Sequence, residues 1–458
     1  FRHLWGQAKP AELTATAEAK PGTLYAEVAP LLPLGLPFAE TPVSPDWFDW
    51  PALPDLFPKS FPGVKTSRDG FLVDTDLDRL RTRVGEYFDL ALSHEEIARR
   101  YPRVMKTTAR FDARAVRNEL LKRGGPDESG FVRFAYRPFD SRWLYWEKDG
   151  LLLDRPRPDY RPHVFEGNWC LVAQQKPRRE WSPPQVIARI GCIDLMDRSA
   201  TCIPAWLCGE GCERGKPTIH RRANLSGTAQ RYLERLGLGV EGLFHHVLAT
   251  LHDPAYREAN AGALRMEWPR IPLPGWPDGQ AEEAAHALAH SAAQGRSLAA
   301  LLNSEQPVSS EAGTHLRLEI AVPSTVAGRY MAGEDFAVTA GWGHFGTGDA
   351  VMPGRGRIVE RSYRPKELEA LAEHVAALGE TTFDVHLNGE AFWRNVPSAV
   401  WDYRLGGYQV LKKWLSYREH KVLGRKLRLE EVQHFTATAR CIGALLLASS
   451  DGTERKPQ

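Results

Sequence analysis

Arginine and aromatic side chains crowd one stretch of this chain, and together they have the chemistry to grip a polyanion. Between residues 134 and 165, Phe134, Tyr136, Phe139, Trp143, Tyr145 and Trp146 are interleaved with Arg137, Arg142, Arg155, Arg157 and Arg161. A guanidinium neutralises phosphate and holds base edges in a planar fork. An aromatic ring packs flat against bases, sugars or a core. The same run also fits an ordinary strand pair with core aromatics and solvated arginines. Asp140 stands where it can pair with Arg137 or Arg142 in a purely structural cluster. Other cationic loops recur along the chain. Gln174 and Gln175 precede Lys176, Arg178 and Arg179, and Lys216 is followed by Arg221 and Arg222. His344, Arg355 and Arg357 lie in a glycine-rich stretch, and Arg404, Lys412 and Lys413 lie near the C-terminus. Lysine and arginine on phosphates fix position, while arginine with guanine and glutamine with adenine choose sequence. These residues are the candidate nucleic-acid contacts. For Arg404, Lys412 and Lys413 a helix face that snorkels over the core is an equally good reading.

Motifs that would supply catalysis fail on context. Gly341-Trp-Gly-His-Phe-Gly346 has the spacing of a dinucleotide fingerprint, but Pro353 and further glycines follow it instead of a helix to receive a pyrophosphate. It reads as a turn between strands. The stretch 211–216 imitates a P-loop with the wrong spacing and with Pro217 in place of the magnesium-holding hydroxyl. Asp253-Pro-Ala-Tyr256 imitates the loop by which amino-methyltransferases clamp a flipped base, yet it follows a helical pattern and reads as a helix break with a proline at the next helix start. Asp194 and Asp197 are near enough in sequence to form an acid pair, and His286 and His290 are four apart on a helical stretch, but neither set has further partners in sequence. Of six cysteines, four fall within 192–212. Their spacing lacks the two tidy pairs of a structural zinc site, so free thiols in a reducing cytoplasm are expected and no metal.

Composition sets the frame for these residues. At 458 residues, with 43% hydrophobic and 25% charged residues, the chain is of ordinary globular composition and long enough for more than one core. The net charge of +2 means that any basic surface must be local. No apolar run is long enough for a membrane span. The first residues, FRHLWGQAKP, carry no initiating methionine and read as a cut inside a longer protein.

Elements follow from periodicity and capping. Residues 1–65 form a proline-rich arm expected to lie extended on another surface, with Trp47, Phe48 and Trp50 as anchors. Residues 66–129 form a helical module: 76–92 is helical in period, Ser93 and Glu96 make a capping box, and Asp112 caps a third helix that ends at Gly124. Residues 130–275 are a β-rich lobe followed by helices, with FVRFAYRPF, WLYW, LLLD, WCLVAQQ, QVIARI and CIDLM as strands. Residues 276–315 are an alanine-rich surface helix and linker. Residues 316–400 form a second β-rich lobe with a hairpin turn at Asn388-Gly389, and 401–458 two helices joined at Gly424. The fold class expected is α+β: two β-rich lobes around a helical middle, with a helical N-side module and C-terminal helices.

Five segments in order then carry a resemblance: FPGVKTSRD, YRPFDSRWLYW with LLDRPRP, GLFHHVLATLHDPAYRE, WPRIPLP, and VPSAVWDYRLGGYQVLKKWLSYRE. Together they resemble the C-terminal region of type ISP restriction–modification enzymes and of related single-chain adenine-specific DNA methyltransferases. The resemblance implies a module that recognises a target sequence in double-stranded DNA, in the cytoplasm, for a methyltransferase domain of the same polypeptide. It also implies that catalysis and S-adenosylmethionine binding lie upstream, with no cofactor in this chain. The cysteine-rich CIPAWLCGEGCERG departs from the family pattern. A contrasting expectation is a protein-interaction scaffold that docks a catalytic partner, motivated by the apolar arm and exposed tryptophans. A third is a carbohydrate-active enzyme, motivated by abundant tryptophan and carboxylates, which requires two facing carboxylates in an aromatic cleft.

Overall fold

The computed structural model describes residues 8–17, 19, 32–35, 42–147, 149–177, 180–197, 200–209, 221–303, 336–346, 350–371 and 374–450. Within them the chain is a mixture of helices and several small sheets.

The N-side helices form where the sequence caps them. Asp76 accepts the backbone N–H groups of Asp78 and Arg79 and opens helix Leu77–Tyr87, whose Leu80, Val84 and Tyr87 face inward. Ser93 and Glu96 close a reciprocal capping box on helix His94–Arg100, and Asp112 caps helix Ala113–Lys122. These side chains satisfy donors that a helix start leaves orphaned. The buried Arg117 binds the three together by donating to the carbonyls of Tyr87, Asp89 and Leu92 at 2.8–2.9 Å.

Strands Phe131–Arg137 and Asp140–Tyr145 form a hairpin at the centre of a four-stranded sheet, flanked by Val73–Asp74 and, in parallel, by Ile190–Gly191. A second sheet orders Phe61–Pro62, Thr201–Pro204, Cys170–Ala173 and Gln185–Ile187, all antiparallel. Two expected strands do not form. LLLD folds as a turn because the Glu147 carboxylate accepts the N–H groups of Asp149 and Leu151, while Leu152 and Leu153 remain buried. CIDLM becomes a turn at 193–197.

Helices Gly227–Leu236, Val240–His252 and Pro254–Ala259 form the middle layer. Asp253 ends one helix and caps the next with Pro254 in the first turn, so the Asp-Pro-Ala-Tyr stretch is the helix break its context suggests. Helix Ala281–Leu302 is not peripheral. Ala284, Leu288, Ala292 and Leu298 join the larger core, and an added Cβ at Gly295 would stand 1.8 Å from the His245 carbonyl oxygen. Small residues are what let the two backbones approach so closely.

The second lobe contains the sheet Ile358–Ser362, Thr381–His386 and Phe392–Pro397. Its turn is held by Asn388 Oδ1, which accepts from Glu390 and Ala391. Helices Val410–Arg418, His420–Leu423 and Leu429–Ser450 close the fold, with Gly424 at φ 74° as the left-handed cap. The first part of that expected lobe, residues 316–335, lies outside the described residues.

The core falls into two clusters. The smaller gathers the N-side helices, the 131–145 hairpin and Tyr417, the larger gathers the middle and C-terminal helices, and the second sheet gives one face to each, with Cys170 and Val172 in the smaller and Leu171 and Ala173 in the larger. Tryptophans serve the larger one: Trp47, Trp342, Trp393 and Trp414 are fully buried. Trp47 donates to Glu267, and Trp50 stacks on Tyr256. The segment from 42 onward therefore lies on this chain's own helices, which removes the exposed tryptophans that motivated a scaffold. Among the described residues no helix is long and apolar enough to cross a membrane.

Candidate nucleic-acid interface

The turn at 194–197 is the meeting point of segments far apart in sequence. The Asp194 carbonyl accepts the Tyr408 hydroxyl at 2.8 Å, and the Met196 carbonyl accepts the Gln174 amide. The hairpin formed by Arg404–Leu405 and Tyr408–Gln409 turns through Gly406, at φ 59°. An added Cβ there would lie 2.9 Å from the Leu195 carbonyl oxygen, so glycine is required for both the conformation and the approach.

Arg137 and Arg142 extend from the 131–145 hairpin toward the same place. Arg142 donates to Asp140 at 2.7 Å, and Arg418 donates to the other carboxylate oxygen at 2.8 Å. Burial opposes ionisation of Asp140, but the two guanidinium groups outweigh it and hold the carboxyl well below its usual range. The structural pairing anticipated for Asp140 thus applies to Arg142, together with an arginine the sequence did not single out. Arg137 pairs differently. It donates to the Tyr136 carbonyl and the Cys192 thiol and lies over the Tyr136 ring.

Lys413 reaches this region from helix Val410–Arg418 and donates to the Val351 carbonyl at 3.1 Å. Its ammonium lies 4.4 Å from the centre of the Tyr417 ring. Burial pushes the Lys413 pKa down, and nearby Arg137 and Arg142 add to that. These groups line a cavity of about 570 Å³ with Tyr136, Tyr408 and Phe345.

The remaining candidates distribute around that cavity and beyond it. Gln174 is buried and its amide fixes the turn, whereas Gln175 and Lys176 are exposed on the adjoining loop. Arg404 is exposed on its hairpin, and Lys412 is half-buried. His344 belongs to a second small hairpin, Gly343–Phe345 with Val351–Pro353, and is exposed, as are Arg355 and Arg357 just beyond it. That hairpin is seated on helix Val410–Arg418, with Gly343 against the Ser416 carbonyl. Its Phe345 and Met352 are 44% and 47% exposed, which leaves two large apolar groups beside the cations. Arg221 and Arg222 lie on an exposed strand paired with Trp206–Cys208, where Arg221 covers the Phe165 ring. Their neighbours differ from those of the 194–197 turn. Arg178, Arg179 and Lys216 lie outside the described residues.

Tyr408, Tyr417, Arg103 and Arg418 carried no flag in the sequence. The i, i+4 spacing of Lys413 and Tyr417 on one helix was the available signal. Cys170, Cys192 and Cys202 are free and buried, and burial pushes the Cys202 thiol up to about 12. Cys208 is joined in a disulfide, which departs from the expectation of free thiols. Among the described residues no group of three His, Cys, Asp or Glu side chains could hold a metal ion.

A family model described as the type ISP C-terminal specificity domain matches residues 55–441. Three solved structures share the fold. One is a cryo-EM structure of a DrdV–DNA complex, with TM-score 0.53, 22% identity, and coverage of 91% of this chain and 38% of that one. Another is a nuclease-deletion mutant of the type ISP restriction-modification enzyme LlaGI in complex with a DNA substrate mimic, at TM-score 0.53 and 14% identity, covering 91% and 35%. The third is the ATP-dependent type ISP restriction-modification enzyme LlaBIII bound to DNA, at TM-score 0.56 and 12% identity, covering 91% and 24%. The chain therefore spans well under half the length of each of them. No curated protein matches it.

Proposed function

Because this chain belongs to the family of type ISP C-terminal specificity domains, we propose that it recognises a DNA target sequence for a larger adenine-specific methyltransferase of a restriction–modification system. The family match across residues 55–441 carries the reading. The geometry adds a face for it. Around the 194–197 turn stand Gln175 and Lys176, Arg404, and the cavity that Arg137 and Lys413 line, with the 343–353 hairpin and its His344 and Arg355 alongside. Lysine and arginine there hold backbone phosphates, and Gln175 presents a donor and an acceptor suited to adenine. Gln174 and Arg142 position this face from inside the fold. Arg357 and Lys412 extend it, and Arg221 and Arg222 form an outlying contact.

In this reading the methyltransferase domain of the same polypeptide supplies S-adenosylmethionine binding and chemistry, and the protein acts in the cytoplasm. Duplex binding measured by fluorescence anisotropy across a salt series tests it. The folded chain should bind duplex DNA with affinity falling linearly on a log–log salt plot, and Lys176→Ala with Arg404→Ala should flatten the slope by about 2 contacts. A folded chain that binds no duplex at low salt removes the proposal.

A further inference from the structure

The cavity beside the 194–197 turn, on the face proposed for DNA, holds a charge imbalance of its own. Its walls carry six cationic and four carboxylate side chains. Several are matched. Asp74 takes Arg83, and Asp69 accepts the hydroxyls of Tyr136 and Thr66. Arg142 is held by Asp140, just behind the wall.

Arg137 and Lys413 have no carboxylate partner among the described residues. Arg137 donates to a carbonyl and a thiol, and its Nε is buried without a hydrogen-bond partner. Lys413 donates to the Val351 carbonyl and to the Tyr417 side chain, neither of which carries a full negative charge. Both approach the Tyr417 ring, Arg137 at 5.8 Å and Lys413 at 4.4 Å from its centre. Asp194 also lines the cavity, yet among the described residues it makes no ion pair with either cation. Withdrawn cations that share a cavity repel each other and lose hydration, and an anion placed between them removes both penalties. Burial lowers the Lys413 pKa, Tyr417 works against that, and Arg137 and Arg142 add to the lowering.

We propose that this cavity is an anion site that takes a phosphate group between Arg137 and Lys413. The guanidinium supplies directed donors and the ammonium a point charge. The volume of about 570 Å³ exceeds what a bare phosphate needs and leaves room beside Tyr408 and Phe345 for the group that carries it. The source of the phosphate rests on the DNA reading: a backbone phosphodiester is one, and free phosphate is the other.

The test uses the full chain and its Lys413→Met and Arg137→Gln variants, with inorganic phosphate and a short duplex as probes. Inorganic phosphate should raise the unfolding midpoint of the wild type in a saturable way beyond chloride at equal ionic strength. Lys413→Met, which keeps the aliphatic packing, should match or exceed the wild-type midpoint without phosphate and lose the phosphate-dependent rise. Arg137→Gln should lose the same rise. If the phosphate comes from DNA, Lys413→Met should also flatten the log–log salt slope for duplex binding by about one contact. Phosphate stabilisation with an unchanged duplex slope assigns the site to free phosphate, and a flatter slope without phosphate stabilisation assigns it to DNA. The inference is overturned if wild type and variants behave alike toward both probes. It is overturned equally if Lys413→Met alone lowers the anion-free midpoint, since that marks Lys413 as structural. A wild type stabilised by phosphate that binds no duplex would sink the DNA reading and leave the anion site standing.

Discussion

Asp140 shows how a single residue decides between recognition and structure. Its side chain is 1% exposed and holds two guanidinium groups, Arg142 from its own hairpin and Arg418 from a helix 278 positions away. Removing one member of such a cluster leaves uncompensated buried charge, and that cost exceeds the net worth of the pairing. Asp140→Asn should therefore lower stability by about 3–5 kcal/mol at neutral pH, read by urea denaturation. The sign of its pH dependence follows from the depressed folded pKa. A carboxylate that ionises more readily in the folded state than in the unfolded one, at about 3.9, stabilises above that value and loses the contribution as pH falls. The gap between wild type and Asp140→Asn should stay constant above pH of about 5 and shrink in acid. A gap that widened in acid would mean that Asp140 is not the ionised partner of the two arginines.

Elements were legible where the signal is local. Asp76, Ser93 with Glu96, and Asp112 each cap the helix that their spacing announces, and Asn388 forms the turn expected of it. Cap chemistry involves groups within a few residues, so sequence suffices. The apolar runs LLLD and CIDLM misled because short runs look alike in strands and in buried turns. In the first case Glu147 decides the outcome by bonding two backbone N–H groups. The helix Ala281–Leu302 misled for another reason: alanine and glycine look like surface filler, yet here they let one helix press on another. Gly295→Ala would drive a methyl to within 1.8 Å of the His245 carbonyl oxygen unless the helices part. It should cost about 1–3 kcal/mol through that forced separation, seen as a lower thermal midpoint with an unchanged far-ultraviolet circular dichroism spectrum. An unchanged midpoint would mean that the two helices are not in close register.

At the scale of the molecule, the face proposed for DNA draws on elements from both cores. A net charge of +2 gives little long-range attraction, so affinity has to come from cations brought together locally. Sequence named Arg137 and Lys413 but could not place them on the wall of one cavity, because the contacts that do so are long-range. The Tyr408–Asp194 bond spans 214 positions, and the Asp140–Arg418 pair spans 278. The hairpin bearing Arg404 is held to the 194–197 turn chiefly by Tyr408 and by the close approach of Gly406. Gly406→Val would place a branched side chain at φ 59° and against the Leu195 carbonyl, forcing the hairpin away. The two cores keep their own apolar packing, so the thermal midpoint should fall by only a few degrees, about what 1 kcal/mol produces in a chain of this size. Duplex affinity should fall further, by about tenfold or 1.4 kcal/mol, because Arg404 and Tyr408 move together away from the cavity. A variant that lost stability but kept its duplex affinity would place the DNA face on one lobe and not across the two cores.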